Sequence, residues 1–501
     1  MALRFHMRYY LCLLFLSFFL ASNVSIGSAQ GPEPARWTSS QPLGCDPDRE
    51  GGVYPKAVAD RQGRLHIFWQ VENAIFYCYL DGKVWSEKND VIATAEDQPF
   101  IIGPVLIDHN DYFNLLWTDQ GKTRSLFLSR AHVAVAQRPQ SWQTQTLYSP
   151  AVSMWGAHME VDGEGKLHVV YAPDGRWIHY VVSADDGMTW SPPIAIWAVE
   201  QPEKEAVLDP RIAVDPKGYI HVVWTLTSVD RSWQGIAVYY ARSTDGGQTW
   251  DVAEVQRSTE ANTTVASINI AIRNETEVHL VWNRGIASPD GRYHSWSTDN
   301  GDTWTPPASF LPAWVNGQAG LPLMVVDTAQ TLHLVTLAQG GQVQNESMCT
   351  STSGCAAPKY TFWNGQNWSP MYEFPEGSSD SMIALAMSLG NTVYLIHPER
   401  RGGGQLLYNT LVTDAPPVQP QEIPVLLPTP KASITPTPDI RLEETMRGPI
   451  ESITNYAASG PQQRITDNPV APLVISTFSV FLVILSIVFW RLNRSHKTRW
   501  R

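Results

Sequence analysis

The sequence predicts an all-β fold, a β-propeller of four-stranded blades, followed by one C-terminal transmembrane helix. Three observations lead there. An eight-residue pattern, S-x-D-x-G-x-T-W, is written three times, at Ser183–Trp190, Ser243–Trp250 and Ser297–Trp304, with starts 60 and 54 residues apart. Repetition at such a period marks a repeat architecture. Seven alternating stretches end in a His-apolar-apolar-aromatic run or a variant of it, at His66, Asn114, His168, His221, His279, His333 and Tyr394. Alternation at period two predicts strands, and units of 48 to 61 residues hold four short strands each.

The elements follow in chain order. Residues 1–29 carry Arg4 and Arg8, an apolar run and then Gly27-Ser28-Ala29, the pattern of a secretory signal peptide. The propeller is expected over 30–413. Its last unit stops after a third strand, Leu406–Val412. Arg36–Pro42 (RWTSSQP) resembles the TWSPP and TWTPP segments after two boxes, so the start of the mature chain is expected to supply the missing strand. Such closure leaves no open edge. Seven blades are favoured, with six the alternative if one degenerate unit is misassigned. Residues 414–469 are rich in Pro and Thr and predict an extended extracellular stalk. Val470–Trp490 runs 21 residues without a charge, long enough to span a bilayer. The basic tail Arg491–Arg501 is expected to stay cytoplasmic, leaving the propeller outside the cell.

The formal net charge is −12 and the most obvious basic cluster is that tail, which argues against a nucleic-acid partner. Of five cysteines, Cys12 leaves with the signal. Cys45, Cys78, Cys349 and Cys355 remain, an even number in an oxidising compartment. Cys349–Cys355 would staple the long loop of unit six, and Cys45–Cys78 would tie the preceding segment to blade 1. No CxxC or clustered histidine accompanies them, so neither a metal nor a cofactor is expected. Glycosylation sequons stand at Asn262, Asn274, Asn345 and Asn367.

The boxes read as structure. In each, the acid (Asp185, Asp245, Asp299) and the glycine (Gly187, Gly247, Gly301) suit a tight turn opened by Ser183, Ser243 or Ser297. Trp190, Trp250 and Trp304 then bury an apolar body. The five repeated histidines sit one per blade and cannot converge on a metal. Each is expected to bond a neighbouring strand. Loop tryptophans Trp155, Trp197, Trp233 and Trp314 are candidates either to stack on sugars or to cover a blade rim.

Strand alternation isolates a candidate site. Four residues before each strand-ending acid or its equivalent stand Lys56, Pro104, His158, Arg211, Asn269, Leu323 and Ile383. Two further on, the same face holds Val58, Leu106, Glu160, Ala213, Ala271, Val325 and Leu385. The opposite face is apolar throughout and should pack between blades. Lys56, His158, Glu160, Arg211 and Asn269, from blades 1, 3, 4 and 5, are therefore expected on one polar side of the channel mouth. They are the ligand-binding candidates.

The S-x-D-x-G-x-T-W pattern is the Asp box of the bacterial neuraminidase repeat, and the chain resembles the sialidase, or neuraminidase, superfamily. The resemblance implies a propeller whose boxes lie away from the active face. Catalytic members of that superfamily have six blades, an arginine triad for the substrate carboxylate, a Tyr–Glu nucleophile pair and an Asp acid/base. The first triad arginine lies in an Arg-Ile-Pro-type motif, whereas the equivalent stretch here, Gly51–Asp60, offers only Lys56. Arg211 is the best match to a carboxylate-binding arginine. Arg284, Arg292, Arg400 and Arg401 lie in expected loops. The catalytic candidates are Arg211, Glu160 and Asp209. The expectation is a membrane-anchored, extracytoplasmic propeller that recognises a glycan or protein ligand without turnover. An exo-acting glycosidase of sialidase type and an adhesion scaffold are the alternatives.

Overall fold

The computed structural model describes residues 37–424, apart from 47–51, 95–99, 120–123, 150–153, 259, 261–262, 286–290, 313–314, 341–355, 375–382 and 400–404. The chain divides into two units, Met1–Pro428 and Thr429–Arg501. The propeller occupies the first, and the second lies outside the described residues. Among the described residues no helix is long and apolar enough to cross a membrane. The expected signal peptide and the 470–490 span lie outside them, as do Cys349 and Cys355.

Seven antiparallel sheets are described, and each is a blade. Their innermost strands are Val53–Ala59, Phe100–Ile107, Met154–Val161, Glu205–Val214, Val265–Arg273, Val315–Val326 and Ala384–Ser388. Each inner strand neighbours the next, and the first neighbours the last, so the ring closes. Blade 1 carries an extra strand, Asn89–Ala93, beside its third. Blade 7 is completed from the other end of the propeller. Gln41 and Pro42 pair with Tyr408 and Leu407, and the Thr38 N–H donates to Thr410 O at 2.9 Å. Cys45 and Cys78 form a disulfide across a Cα separation of 6.5 Å, tying this closing segment to blade 1.

The apolar face of each strand packs between blades, as the alternation requires. One cluster joins Val170, Ile178 and Tyr180 of blade 3 to Ile212, Val222 and Trp224 of blade 4. Another joins Leu116 and Leu128 of blade 2 to Met159, Val169 and Tyr171 of blade 3. Burying each large side chain contributes about 1.5–3 kcal/mol.

The face where inner strands end is cross-linked by polar groups. The recurring histidines are buried, each filling a gap between two fixed partners. His66 bonds Tyr77 Oη at 2.8 Å and Asp60 at 3.0 Å. His168 meets Tyr180 and Asp162, His221 meets Tyr240 and Asp215, and His333 meets Tyr360 and Asp327 in the same way. Each acid also holds its own turn; Asp162 Oδ1, for example, accepts the N–H groups of Glu164 and Lys166.

The boxes lie on this same face and reach back to the preceding blade. In the second, Ser243 donates to Asp245 at 2.8 Å, Thr249 donates to it from N–H and hydroxyl, and Trp250 Nε1 donates to Gly247 O. The first and third boxes repeat these bonds. Thr hydroxyl, Thr N–H and Ser hydroxyl together hold Asp185 and Asp245 down at about 2. Asp299 is held there chiefly by Ser297 and then Thr303. Acids whose oxygens are already occupied serve the turn, as expected of them. Gly247 also presses on Tyr180 of the blade before, and Asn300 donates to Asp215 of blade 4 at 2.6 Å.

After blade 7 the Pro-rich segment does not leave the propeller at Asp414. The Val418 N–H donates to Leu389 O, the Gln421 N–H donates to Arg61 O, and Ile423 is buried with Phe68 and Trp117. Proline-rich chain is already extended and bonds through few donors, so it lies flat across these turns.

Gly246 and Gly247 provide a matched test. Both have positive φ, at 75° and 90°. A Cβ on Gly246 meets nothing within 4 Å, whereas one on Gly247 would lie 2.3 Å from the Tyr180 ring. Gly246→Ala is expected to cost about 1 kcal/mol, and Gly247→Ala about 1–3 kcal/mol more, read by urea unfolding.

Candidate functional site

The site begins with a mismatch in pairing. Between Val53 and Lys56, Tyr54 and Pro55 face the single residue Trp69. Asp209 and Pro210 likewise face Trp224, and Ser267 and Ile268 face Trp282. Blades 2, 3 and 6 carry related interruptions at Gly103-Pro104, Trp155-Gly156 and Gly320–Pro322. A bulge bends the strand and re-aims the side chains that follow it. Proline recurs here, at 55, 104, 210 and 322, because a residue without N–H is tolerated where the ladder is broken.

Six residues before the strand-ending position, Tyr54, Gly156, Asp209 and Ser267 have left-handed backbone, with φ of 53°, 114°, 49° and 55°. These are blades 1, 3, 4 and 5, the same four that carry the polar residues Lys56, His158, Arg211 and Asn269. The three non-glycine residues among them cost on the order of 1 kcal/mol each. Blades 2 and 6, with Pro104 and Leu323, lack this conformation there; the corresponding position of blade 7 lies outside the described residues.

The bulges open into a cavity of about 520 Å³ touched by all seven inner strands. This is the mouth of the central channel, on the face opposite the boxes. Lys56, His158, Arg211 and Asn269 all line it, together with Asp209. Asn269, however, is committed to backbone. Its Nδ2 donates to Pro322 O at 2.7 Å and its Oδ1 accepts the Ile270 N–H at 2.9 Å.

The remaining groups form a compact cationic cluster. Burial, then the neighbouring Arg211 charge, lowers Lys56 to about 8, opposed by Asp209. Burial and the charges of Arg211 and Lys56 hold His158 well below its ordinary value, so it is neutral. His158 Nδ1 accepts the Ile212 N–H at 3.5 Å, which leaves the ring proton on Nε2. Burial also lowers Arg211, again opposed by Asp209, and its buried Nε has no partner among the described residues. Such a guanidinium suits an incoming carboxylate or sulfate.

Glu160 stands one layer deeper. It is the only ionisable group in a ring otherwise made of Val58, Leu106, Ala213, Ala271, Val325 and Leu385. Burial raises its carboxyl to about 7 against one hydrogen bond from the Val161 N–H. Glu160 and Asp209 therefore do not share the mouth.

The other arginines considered from sequence are elsewhere. Arg284 donates to Tyr293 Oη at 3.2 Å, and Arg292 is buried in blade 5, lowered to about 9 by desolvation. Arg400 and Arg401 lie outside the described residues. Trp197 covers a blade, packing on Tyr239 and Trp224 at 5.1 and 5.8 Å. Trp233 is 45 % exposed on the mouth face, while the side chains of Trp155 and Trp314 lie outside the described residues. Sequence reasoning missed Tyr54, Ile101, Gly156, Thr118 and Leu126 in the lining. The recurrent prolines were the readable signal for Tyr54; nothing pointed to the others.

A second cavity, about 770 Å³, lies on the box face between blades 3 and 4. Its ionic groups are engaged: Asp162 and Asp215 in their turns, Lys166 with Glu164 and Lys217 with Asn300. The mouth is the better candidate.

Residues 129–343 match the BNR repeat-like domain. That stretch holds the three Asp boxes, and over it the chain is similar to BNR-type repeat proteins, on a seven-bladed β-propeller. No curated protein sequence matches it. Among solved structures, an ulvan lyase bound to a GlcA(1-4)Rha3S saccharide superposes with a TM-score of 0.52 at 11% identity, covering 73% of this chain and 95% of its own. That likeness establishes fold alone. Looser superpositions reach the NanB sialidase of Streptococcus pneumoniae (TM-score 0.41, 11% identity, 74% of this chain and 70% of that one). They also reach the Aleuria aurantia lectin (TM-score 0.40, 12% identity, 66% and 96%).

Glu160 predicts a pH signature. Its folded value lies above its unfolded one, so its contribution to stability is full below about 4.5 and is lost as pH rises through about 7. Glu160→Gln should remove this dependence. Relative to the variant, the parent should lose on the order of 1–3 kcal/mol between about pH 4 and 8 in urea unfolding; parallel curves would contradict the burial of the carboxyl.

Proposed function

We propose that this protein is a binding propeller for an acidic sugar, gripping its anionic group with Arg211 and Lys56 at the channel mouth without turning it over. One observation carries the reading: Lys56, His158 and Arg211 converge on one cavity in which Asp209 is the only acid among the described lining residues. Arg211 brings a planar fork and a buried, unpartnered Nε; Lys56 brings a second charge; His158 offers its Nε2 proton. Glycoside hydrolysis ordinarily uses two carboxyl groups flanking one bond, and Glu160 lies a layer below Asp209. The three alternated groups favour an anion over a neutral ligand.

We also propose that the propeller faces the exterior, tethered by 470–490 through a stalk, with the basic tail cytoplasmic. The leader-like start and the uncharged stretch support this, and so does the Cys45–Cys78 disulfide, which suits an oxidising compartment. No nucleic-acid partner is proposed. A second reading, an exo-glycosidase, is favoured by the Glu160 carboxyl, raised to about 7 as a general acid requires.

Calorimetric titration of the full-length protein with sialylated, uronic and neutral oligosaccharides separates these readings, with products followed by mass spectrometry. Acidic sugars should bind intact, and Arg211→Ala should weaken them by about 10- to 100-fold. Release of a terminal sugar, lost in Glu160→Gln, would establish the glycosidase instead. Equal binding of neutral and acidic sugars would sink the anion site.

A further inference from the structure

The mouth is not a round hole. From the other six blades the described lining comes from the inner strand or, at Ile383, the residue just before it, but from blade 2 it includes Leu116, Trp117 and Thr118 of the second strand and Leu126 of the third. The cavity therefore runs outward over blade 2. Gly103, Gly156 and Ala157 line it; Gly103 also lets its strand close on Leu116, whose carbonyl oxygen would lie 2.7 Å from a Cβ there.

Beyond Leu126, outside the cavity lining itself, the same face continues into aromatic residues. Leu126 pairs with Tyr148 on the neighbouring strand. Tyr148 packs across the blade boundary on Tyr171 at 5.0 Å and edge-on to His179 at 6.4 Å. His179 in turn lies 5.9 Å from Trp177, which is 42 % exposed. The Trp177 hairpin is held in place, since Gly175 O accepts the Val207 N–H at 2.8 Å and Arg176 O accepts the Val199 N–H at 2.9 Å. His179 Nδ1 is buried and has no hydrogen-bond partner among the described residues. A buried ring nitrogen left unpaired beside an exposed indole is costly unless something completes it.

We propose that Tyr148, His179 and Trp177 form a second subsite for the next sugar of an acidic oligosaccharide whose anionic unit sits at Arg211. The proposal rests on the acidic-sugar reading of the mouth and adds the length of the ligand. The two ends differ in the way such a chain requires. The inner end carries Lys56, Arg211 and the His158 proton. The outer end offers an indole face for the C–H face of a pyranose and a ring nitrogen within the same patch for a hydroxyl. Asp174 lies near Tyr148 and His179, and Arg176 of opposite charge stands beside Trp177 in the same hairpin, so this end lacks the pairing of two cations that marks the mouth.

The test compares N-acetylneuraminic acid with sialyllactose, and glucuronic acid with an aldobiouronic disaccharide, by calorimetry on the full-length protein. The longer member of at least one pair should bind about tenfold tighter than its monosaccharide. Trp177→Ala and His179→Ala should each erase that advantage and leave monosaccharide binding unchanged, with an unaltered melting curve confirming that the exposed Trp177 is not needed for folding. Arg211→Ala should weaken both lengths. Absence of a length advantage in the unaltered protein, or its survival in both outer variants, would overturn the second subsite while leaving the mouth intact. Failure of every acidic sugar to bind would overturn the mouth and the subsite together.

Discussion

Two residues of an inner strand facing one residue of its partner is the constraint on which the site depends. A regular ladder would carry Lys56, Arg211 and Asn269 straight out of paired positions. The bulge interrupts it just before each of them, opposite a buried tryptophan, and opens the ring into a cavity. Left-handed backbone at Tyr54, Asp209 and Ser267 is the visible strain of that arrangement. Among the described residues at this position it occurs only in blades whose next channel residue is polar. Strain concentrated where polar groups converge is the distribution expected of a working site.

The other end of each blade supplies the rigidity that makes such strain tolerable. Boxes, buried His–Tyr pairs and turn-holding acids lie where the inner strands end, and they bond from blade to blade through Asn300, Gly247 and the segment reaching Ile423. Side chains that saturate one another in this way leave little for a ligand. The mouth face is built differently, with charges near one another, an unpartnered Arg211 Nε and an unpartnered His179 Nδ1. Precision at one end and unmet bonding capacity at the other is how a scaffold presents a site.

Much of this is legible in the amino-acid pattern. Period-two alternation in a common repeat frame puts Lys56, His158 and Arg211 on one side of one channel, because the register of a repeat transfers from blade to blade. The closing strand is legible from the likeness of Arg36–Pro42 to the segments after the boxes. What escapes depends on pairing rather than pattern. Alternation cannot show that both ends of the Asn269 amide are bonded to backbone, or that Glu160 falls a layer below Asp209. It cannot show a cavity spreading over blade 2, since that depends on how Leu116, Trp117, Thr118 and Leu126 of its second and third strands are placed. The recurrent prolines do mark the bulges, whereas the tyrosine partners of the histidines stand 11 to 27 residues on, at a spacing that changes with hairpin length from blade to blade.

The central claim is electrostatic: Lys56 and Arg211 share a secluded mouth in which Asp209 is the one acid among the described lining residues. It is tested most directly by the titration of Lys56, followed by NMR of the protein bearing 13C-methylated lysines, with Lys56→Arg assigning the signal. The account predicts one lysine that titrates near about 8, well below the ordinary 10.5, and moves upward when a carboxylated sugar is added. A Lys56 signal that titrates with the surface lysines and ignores the sugar would contradict it.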